Sequence, residues 1–174
     1  MKILILGLNH QIQKADILSG GDEIEGLEQQ QKERFAEYLA RLMQERQVGF
    51  IGEEAEHCVD LIAQRVAAHL GCGHMNIEMS PALRQTRGIP TDYTREDRPY
   101  TPEQRERWHS EREQFMFEQM THHAACENAV LLCGREHIEA LAAFFKDAGH
   151  LVETDDLNRQ DWYIEDWLRH VLQS

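Results

Sequence analysis

The chain has 174 residues, 41% of them apolar, which suits a single domain with a sizeable core. Its formal net charge of −13 argues against nucleic acid or an anionic membrane surface as a general partner, because an acidic surface repels phosphate groups. The four cysteines follow no disulfide framework, and no segment approaches the 18 or so apolar residues of a membrane span. We therefore expect residues 1–174 to form one soluble cytoplasmic domain.

Three apolar runs have the length and aliphatic content of strands buried on both faces. They cover residues 3–6, 48–51 and 129–133, and each is followed closely by Gly and then by His. Long helical segments separate the runs, and alternation of strand and helix is typical of α/β proteins. The pattern predicts an α/β fold with an open, mostly parallel sheet flanked by helices. A further short strand is predicted at residues 75–79. An edge strand is predicted to begin at Leu151-Val152.

Helices are predicted where apolar residues recur at three- and four-residue spacings. The start at Thr101-Pro102 combines an N-cap residue with proline in the first turn. The Trp-rich face of the last helix could cover the sheet or form a homodimer face. The predicted helices cover residues 26–46, 58–70, 102–126, 138–148 and 161–172.

The segment 80–102 contains all four prolines of the chain, together with four arginines. A proline-rich loop of this length is uncommon inside a compact domain and is usually functional or disordered. We interpret it as a flap beside the strand ends, with a mobile connector as the alternative.

His10 and His137 each stand three residues after a glycine that ends a strand. The glycine permits a sharp turn, and the imidazole that follows can lie over the sheet edge. A neutral imidazole can bind a divalent transition metal or act as a general base. The alternative is a simple turn followed by a surface histidine.

Glu53 and Glu54 follow the second strand at the same edge of the sheet. A carboxylate beside two imidazoles could complete a metal's ligands or take a proton from water. The alternative is a solvated acidic loop or a pair of acids complementing the next helix. We expect His57 to lie on the surface of that helix.

Arg112 is unexpected because Trp108, Phe115 and Met116 place it near the apolar face of its helix. A desolvated arginine needs a carboxylate or a bound anion, so Arg112 could hold a substrate carboxylate or stabilise an oxyanion. The alternative is a surface pair with Glu111 or Glu118.

A rival metal cluster would combine two segments whose spacing does not match structural zinc sites. The chain also lacks a phosphate-binding loop, a dinucleotide-binding glycine motif and a serine-hydrolase elbow. These absences disfavour nucleotide-dependent enzymes and serine hydrolases. The rival residues are His69, Cys72 and His74 with His122, His123 and Cys126.

Taken together, these motifs resemble the TraB/Tiki family and its erythromycin-esterase-like and ChaN-like relatives. Gly7-Leu8-Asn9-His10 and Gly134-Arg135-Glu136-His137 are similar to the two G-x-x-H motifs of that family. Glu53 or Glu54 stands where the family acid would be, and Glu111 to Met116 resembles the family's Glu-Arg helix. The resemblance implies a metal-assisted or His/Glu-driven hydrolase of peptides or esters, although some relatives bind haem instead.

The leading hypothesis is therefore a hydrolase with a small-molecule or peptide substrate. His10 and His137 would bind a divalent metal such as Zn, Mn or Co, or act as bases. Glu53 or Glu54 would activate water, and Arg112 would orient or stabilise the anion. The second hypothesis is a non-catalytic ligand-binding or adaptor domain that uses the same cleft through the loop 80–102.

Overall fold

The fold is a five-stranded, entirely parallel sheet in the order β3-β2-β4-β1-β5, with helices on both faces. The computed structural model describes residues 1–15, 22–55 and 60–164. The α/β prediction is confirmed. The strands are β1 (Lys2–Leu8), β2 (Phe50–Glu53), β3 (Gly73–Asn76), β4 (Asn128–Gly134) and β5 (Leu151–Asp156).

The helices occupy the segments between the strands. Helix α4 begins with a full capping box, in which Thr101 Oγ1 accepts from Gln104 N and Gln104 Oε1 accepts from Thr101 N. Helix α2 ends at Gly71, whose φ of 70° is a left-handed conformation that favours glycine. The helices are α1 (Asp22–Glu45), α2 (Ile62–Leu70), α3 (Pro81–Thr86), α4 (Pro102–His123) and α5 (Ile138–Asp147).

Alternate residues of each central strand pack into opposite cores. In β1, Leu4 and Leu6 pack with the residues of α1 and α2, whereas Ile3 and Ile5 pack with those of α4 and α5. This double burial explains why the strands are continuous apolar runs and not alternating ones. A third, smaller core lies under the segment 80–102 and consists of Met79, Ile89, Tyr93 and Trp108.

Several predicted boundaries differ from the structure. The segment 80–102 is not a plain loop, because Ser80 caps the short helix α3 and Tyr93 is buried in the third core. Residues 161–164 are not helical, so the last predicted helix does not begin at 161, and residues 165–174 lie outside the described ranges. Strand β3 is earlier and shorter than predicted, and β5 begins at Leu151 at the edge of the sheet, as predicted.

The order of the strands creates a crevice between β1 and β4. These neighbours pair in parallel, with Gly7 opposite Cys133 and Leu8 opposite Gly134. From β1 the chain crosses to β2 on one side, and from β4 it crosses to β5 on the other. Ligands of open α/β sheets bind at such a switch point, beyond the carboxyl ends of the strands.

Candidate active site

The two G-x-x-H segments form corners at this switch point. After β1 the chain turns into a 3-10 helix, His10–Gln13, and after β4 it turns into a second one, Arg135–His137. The side chain of Asn9 caps the first by accepting from the Gln11 amide. The corners therefore place His10 and His137 beyond adjacent strand ends, as the spacing predicts.

Glu54 is the centre of the site. Its Oε1 lies 2.6 Å from Arg112 Nη2, 3.4 Å from His137 Nε2 and 3.8 Å from His10 Nε2. Its Oε2 accepts a 2.8 Å hydrogen bond from the backbone amide of Gly134. Residues of β4, of α4 and of the two 3-10 helices that follow β1 and β4 thus converge on a carboxylate that directly follows β2.

The pKa of Glu54 lies well below its ordinary value. Burial would raise this pKa, but the close approach and charge of His137, with the charges of His10 and Arg112, outweigh the burial. Glu54 is therefore ionised, with both carboxylate oxygens engaged.

Arg112 is buried and links two carboxylates inside the protein. It is not a surface residue paired with Glu111 or Glu118. Its guanidinium binds Glu54 and both carboxylate oxygens of Glu78, and its Nη1 donates to Tyr93 Oη at 2.8 Å. A buried arginine requires such compensation, and it receives two carboxylates. With most of its donors engaged inside the protein, Arg112 holds Glu54 in place.

His137 is completely buried and is oriented through one ring nitrogen. Its Nδ1 lies 2.9 Å from Glu113 Oε1. Burial alone would lower its pKa, but the hydrogen bond to Glu113 and the close, negatively charged Glu54 raise the pKa to about 9. The 3.4 Å approach of Nε2 to Glu54 provides charge attraction, yet Nε2 makes no well-formed hydrogen bond to any described residue.

His10 is oriented in a similar way but remains partly exposed. Its Nδ1 lies 2.7 Å from Gln13 Oε1, and its Nε2 faces Glu54. The side chain is 40% exposed, whereas that of His137 is inaccessible. Both imidazoles therefore have Nδ1 held by a neighbouring acceptor and Nε2 directed toward the same carboxylate oxygen.

Glu53 lies behind the site. One carboxylate oxygen accepts from Gln13 Nε2 at 3.0 Å, and the other lies 2.8 Å from His74 Nε2. Burial raises the pKa of Glu53, although the hydrogen bonds and charge of His74 and the hydrogen bond of Gln13 oppose this effect. Of the two adjacent acids that the sequence left unresolved, Glu54 contacts both histidines of the site.

A cavity of about 410 Å³ opens over Glu54. Two of its lining residues lie in segments that the sequence marks, Arg84 in the loop 80–102 and Glu136 in the second G-x-x-H motif. Arg84 donates from Nη2 to Glu78, and its Nε is buried without a described hydrogen-bond partner. Glu136 is exposed and has a carboxylate oxygen 4.0 Å from His137 Nε2. The polar lining consists chiefly of His10, Glu54, Glu78, Arg84, Arg112 and Glu136.

Sequence reasoning missed Gln13, Glu78 and Glu113. Gln13 stands one helical turn after His10, and Glu113 directly follows Arg112, but neither position has a spacing that marks it as functional. Their roles depend on contacts between separate elements. His57 lies outside the described residues.

One group of described residues has the proximity needed to bind a cation: His109, Glu113 and His137 offer ligand atoms within 4.8 Å of one another. This group borders the Glu54 site through His137. Burial, with the charges of His137 and Arg112, lowers the pKa of His109. In the rival cluster, His74 is bound to Glu53, and His69, His122 and His123 are exposed.

Within the described ranges, no helix combines the length and the apolar character needed to cross a membrane. The chain matches no protein-family model, no curated protein and no solved structure. The resemblance to the TraB/Tiki family therefore rests on the short motifs themselves.

Proposed function

We propose that this protein is a metal-assisted hydrolase of peptide or ester bonds, with its site over Glu54 at the carboxyl ends of β1, β2 and β4. The supporting observation is the common orientation of two histidines. His10 and His137 each have Nδ1 held by an acceptor and Nε2 near Glu54 Oε1. Metal-binding histidines are typically fixed in this manner, with the second ring nitrogen bound to a carboxylate, a carbonyl or water.

The donor types at the site, two imidazoles and a carboxylate, suit a divalent ion such as Zn, Mn or Co. The buried Nε2 of His137 has no well-formed hydrogen bond, and a polar atom of this kind is costly unless something engages it. His10, His137 and Glu54 would hold the ion, and two imidazoles with a carboxylate are a common donor set for these metals. When bound, the ion would supply Lewis-acid polarisation of a carbonyl group and make a water more acidic.

Glu54 serves as an ionised anchor in this proposal, and Arg112 keeps it in position. A carboxylate whose pKa is strongly lowered is a poor proton acceptor. The sequence-based assignment of Glu53 or Glu54 as the base is therefore replaced. Glu53 is turned toward His74 and Gln13, away from any substrate.

Glu136 is the better placed base. It is the exposed carboxylate of the cavity, and one of its oxygens lies 4.0 Å from His137 Nε2. Arg84 would contact the substrate, because it lines the cavity and pairs with a single carboxylate, whereas Arg112 is bound to two. A guanidinium in this position stabilises a developing oxyanion.

The substrate would be a small molecule or a peptide. A cytoplasmic location is supported by the three described cysteines, which are free thiols such as a reducing compartment maintains. A homodimer and the absence of nucleic-acid and membrane partners remain proposals that rest on the sequence alone.

The first experiment is elemental analysis of the purified protein, followed by chelation and titration with Zn, Mn and Co. We expect one ion per chain in the wild type and a large loss of affinity in His10→Ala and Glu54→Gln. Absence of any bound ion, with an unchanged fold, would contradict the proposal.

Hydrolysis is then tested on chromogenic ester and peptide substrates. Glu136→Gln should lower kcat by about 10²–10⁴-fold, as expected for loss of a general base. Glu139→Gln is the matched control, since Glu139 is exposed on the adjacent helix α5 and outside the cavity lining. Equal activity in Glu136→Gln and the control would remove Glu136 from the mechanism.

The alternative function is a non-catalytic binding domain that uses the same cavity. The partly unsatisfied guanidinium of Arg84, in the segment 80–102, favours recognition of an anionic group. Under this alternative, Arg84→Met would abolish ligand binding, and chelation would have no effect on it.

A further inference from the structure

We propose that the Gln13 side chain is a positioning residue that holds His10 in the tautomer protonated at Nδ1, leaving the Nε2 lone pair directed at Glu54 and the cavity. This inference deepens the proposed function, because only an unprotonated Nε2 can bind a metal or accept a proton. It follows from the donors and acceptors around one buried amide.

The orientation of the Gln13 amide is fixed by its neighbours. Its Nε2 lies 2.9 Å from the backbone carbonyl oxygen of Glu54 and 3.0 Å from Glu53 Oε1. A backbone carbonyl can only accept, so the group facing it must be the NH₂ of the amide. This assignment holds whatever the protonation state of Glu53, and it leaves Oε1 of Gln13 as an acceptor.

The tautomer of His10 follows from that orientation. Gln13 Oε1 lies 2.7 Å from His10 Nδ1, and an amide oxygen cannot donate. The hydrogen bond therefore requires a proton on Nδ1. In the neutral imidazole, Nε2 is then unprotonated, and it is this atom that lies 3.8 Å from Glu54 Oε1.

The amide is held rigidly. Gln13 is 1% exposed, and Glu53 behind it is completely buried and also bound by His74. A chain of contacts thus runs from His74 through Glu53 and Gln13 to His10. Rotating the amide would set its oxygen against the Glu54 carbonyl and its NH₂ against the His10 proton. Through this chain of contacts the buried Glu53 helps to orient His10.

The direct test is the tautomer of His10 in the metal-free wild-type protein. Long-range ¹H–¹⁵N spectra at about pH 8, where an ordinary imidazole is neutral, distinguish the two forms. The His10 signals are assigned with a His10→Asn variant. We expect Nδ1 to be protonated, whereas free histidine in water favours the proton on Nε2. A proton on Nε2 of His10, or an equal mixture of tautomers, would overturn the inference.

A second measurement follows the affinity for a metal ion and does not depend on enzymatic activity. Gln13→Met removes the acceptor at similar volume and should weaken Zn²⁺ binding by about 10–100-fold, as expected for loss of a partner that orients a ligand. Gln11→Met is the matched control, because Gln11 is exposed in the same 3-10 helix. Affinity in Gln13→Met equal to that of the control would contradict the positioning role.

The two proposals fail separately. If the wild-type protein binds no ion, the proposed function fails, while the spectrum of the metal-free protein still decides the tautomer. If Gln13→Met does not fold, the wild-type spectrum again decides the tautomer.

Discussion

The two G-x-x-H corners have the same spacing and neighbouring strands, yet they create different environments for their histidines. At the first corner, His10 is partly exposed and bound to the neutral amide of Gln13. At the second, His137 is inaccessible and bound to the carboxylate of Glu113, with Glu54 nearby. One sequence pattern has thus placed a neutral amide behind one histidine and a carboxylate behind the other.

The second corner shows how nearby carboxylates set the charge of a histidine. Two carboxylates near His137 outweigh its burial and raise its pKa to about 9, so the ring is protonated in the metal-free protein. A cation entering the site must displace that proton, which makes its affinity depend on pH. The first corner has a single amide behind its histidine.

The largest expected effect is the difference in unfolding free energy lost when each histidine is replaced by alanine. His137→Ala leaves Glu113 and Glu54 buried without their shared partner and should cost about 3–5 kcal/mol of unfolding free energy. His10→Ala should cost only about 1 kcal/mol, since water can reach the vacated position. Urea denaturation of both metal-free variants measures the difference. Equal losses would mean that the corners are not energetically distinct.

The second prediction concerns a substitution that would make the two corners more alike. Glu113→Gln replaces the carboxylate behind His137 with an amide and should cost about 1.5–3 kcal/mol, the usual range for a hydrogen bond to a charged group. It should also lower the pKa of His137, measured by NMR titration. Glu118→Gln, exposed on the same helix, is the control. An unchanged pKa in Glu113→Gln would show that Glu113 does not set the charge of His137.

The third prediction concerns pH. Because the folded-state pKa of His137 is raised from 6.5 to about 9, its stabilisation is complete below pH 6.5 and is lost as the pH rises through 9. Over this window the native state retains a proton that the unfolded state has released. The unfolding free energy of the metal-free protein should therefore fall by up to about 1.4 kcal/mol per pH unit. Glu113→Gln should flatten this slope, and a slope unaffected by that substitution would contradict the assignment.

The smallest expected effect is the difference in stability between alanine substitutions at the two corner glycines, Gly7 and Gly134. A Cβ on Gly7 would lie 2.3 Å from the terminal methyl of Ile138 and 3.0 Å from Arg135 Cγ, so Gly7→Ala should cost about 1 kcal/mol. A Cβ on Gly134 would meet the flexible carboxylate of Glu136 at 2.8 Å. Gly134→Ala should therefore cost less, while displacing Glu136 and reducing hydrolysis. Thermal unfolding and activity assays separate the two outcomes.

The layout of the sheet could be predicted from the sequence because buried parallel strands are uninterrupted apolar runs. The runs at 3–6, 48–51 and 129–133 correspond to the three central strands, and the cap at Thr101 marks the observed start of α4. Segments with weaker patterns were placed less well. The helix α3 was missed because six residues offer too little periodicity to recognise.

The candidate site was only partly predictable. Glycine followed by histidine after a strand is a local signal, so His10 and His137 could be proposed from the sequence. The choice between Glu53 and Glu54 could not be made, because adjacent residues at the end of a strand point in opposite directions and their partners come from distant elements. Gln13, Glu78 and Glu113 have no local signal.

The sequence by itself determined the strands, most of the helices and the presence of polar residues at the ends of the strands, because periodicity and glycine positions act over a few residues. Only the tertiary structure decided which acid meets both histidines, which acceptor lies behind each ring, and that Arg112 is an internal tie. These properties depend on groups brought together across the sheet from distant parts of the chain, such as Glu54 and Gly134, which are 80 residues apart. The pattern of residues within one segment does not reveal which distant residues will meet. Those contacts determine the burial and the charge of the site.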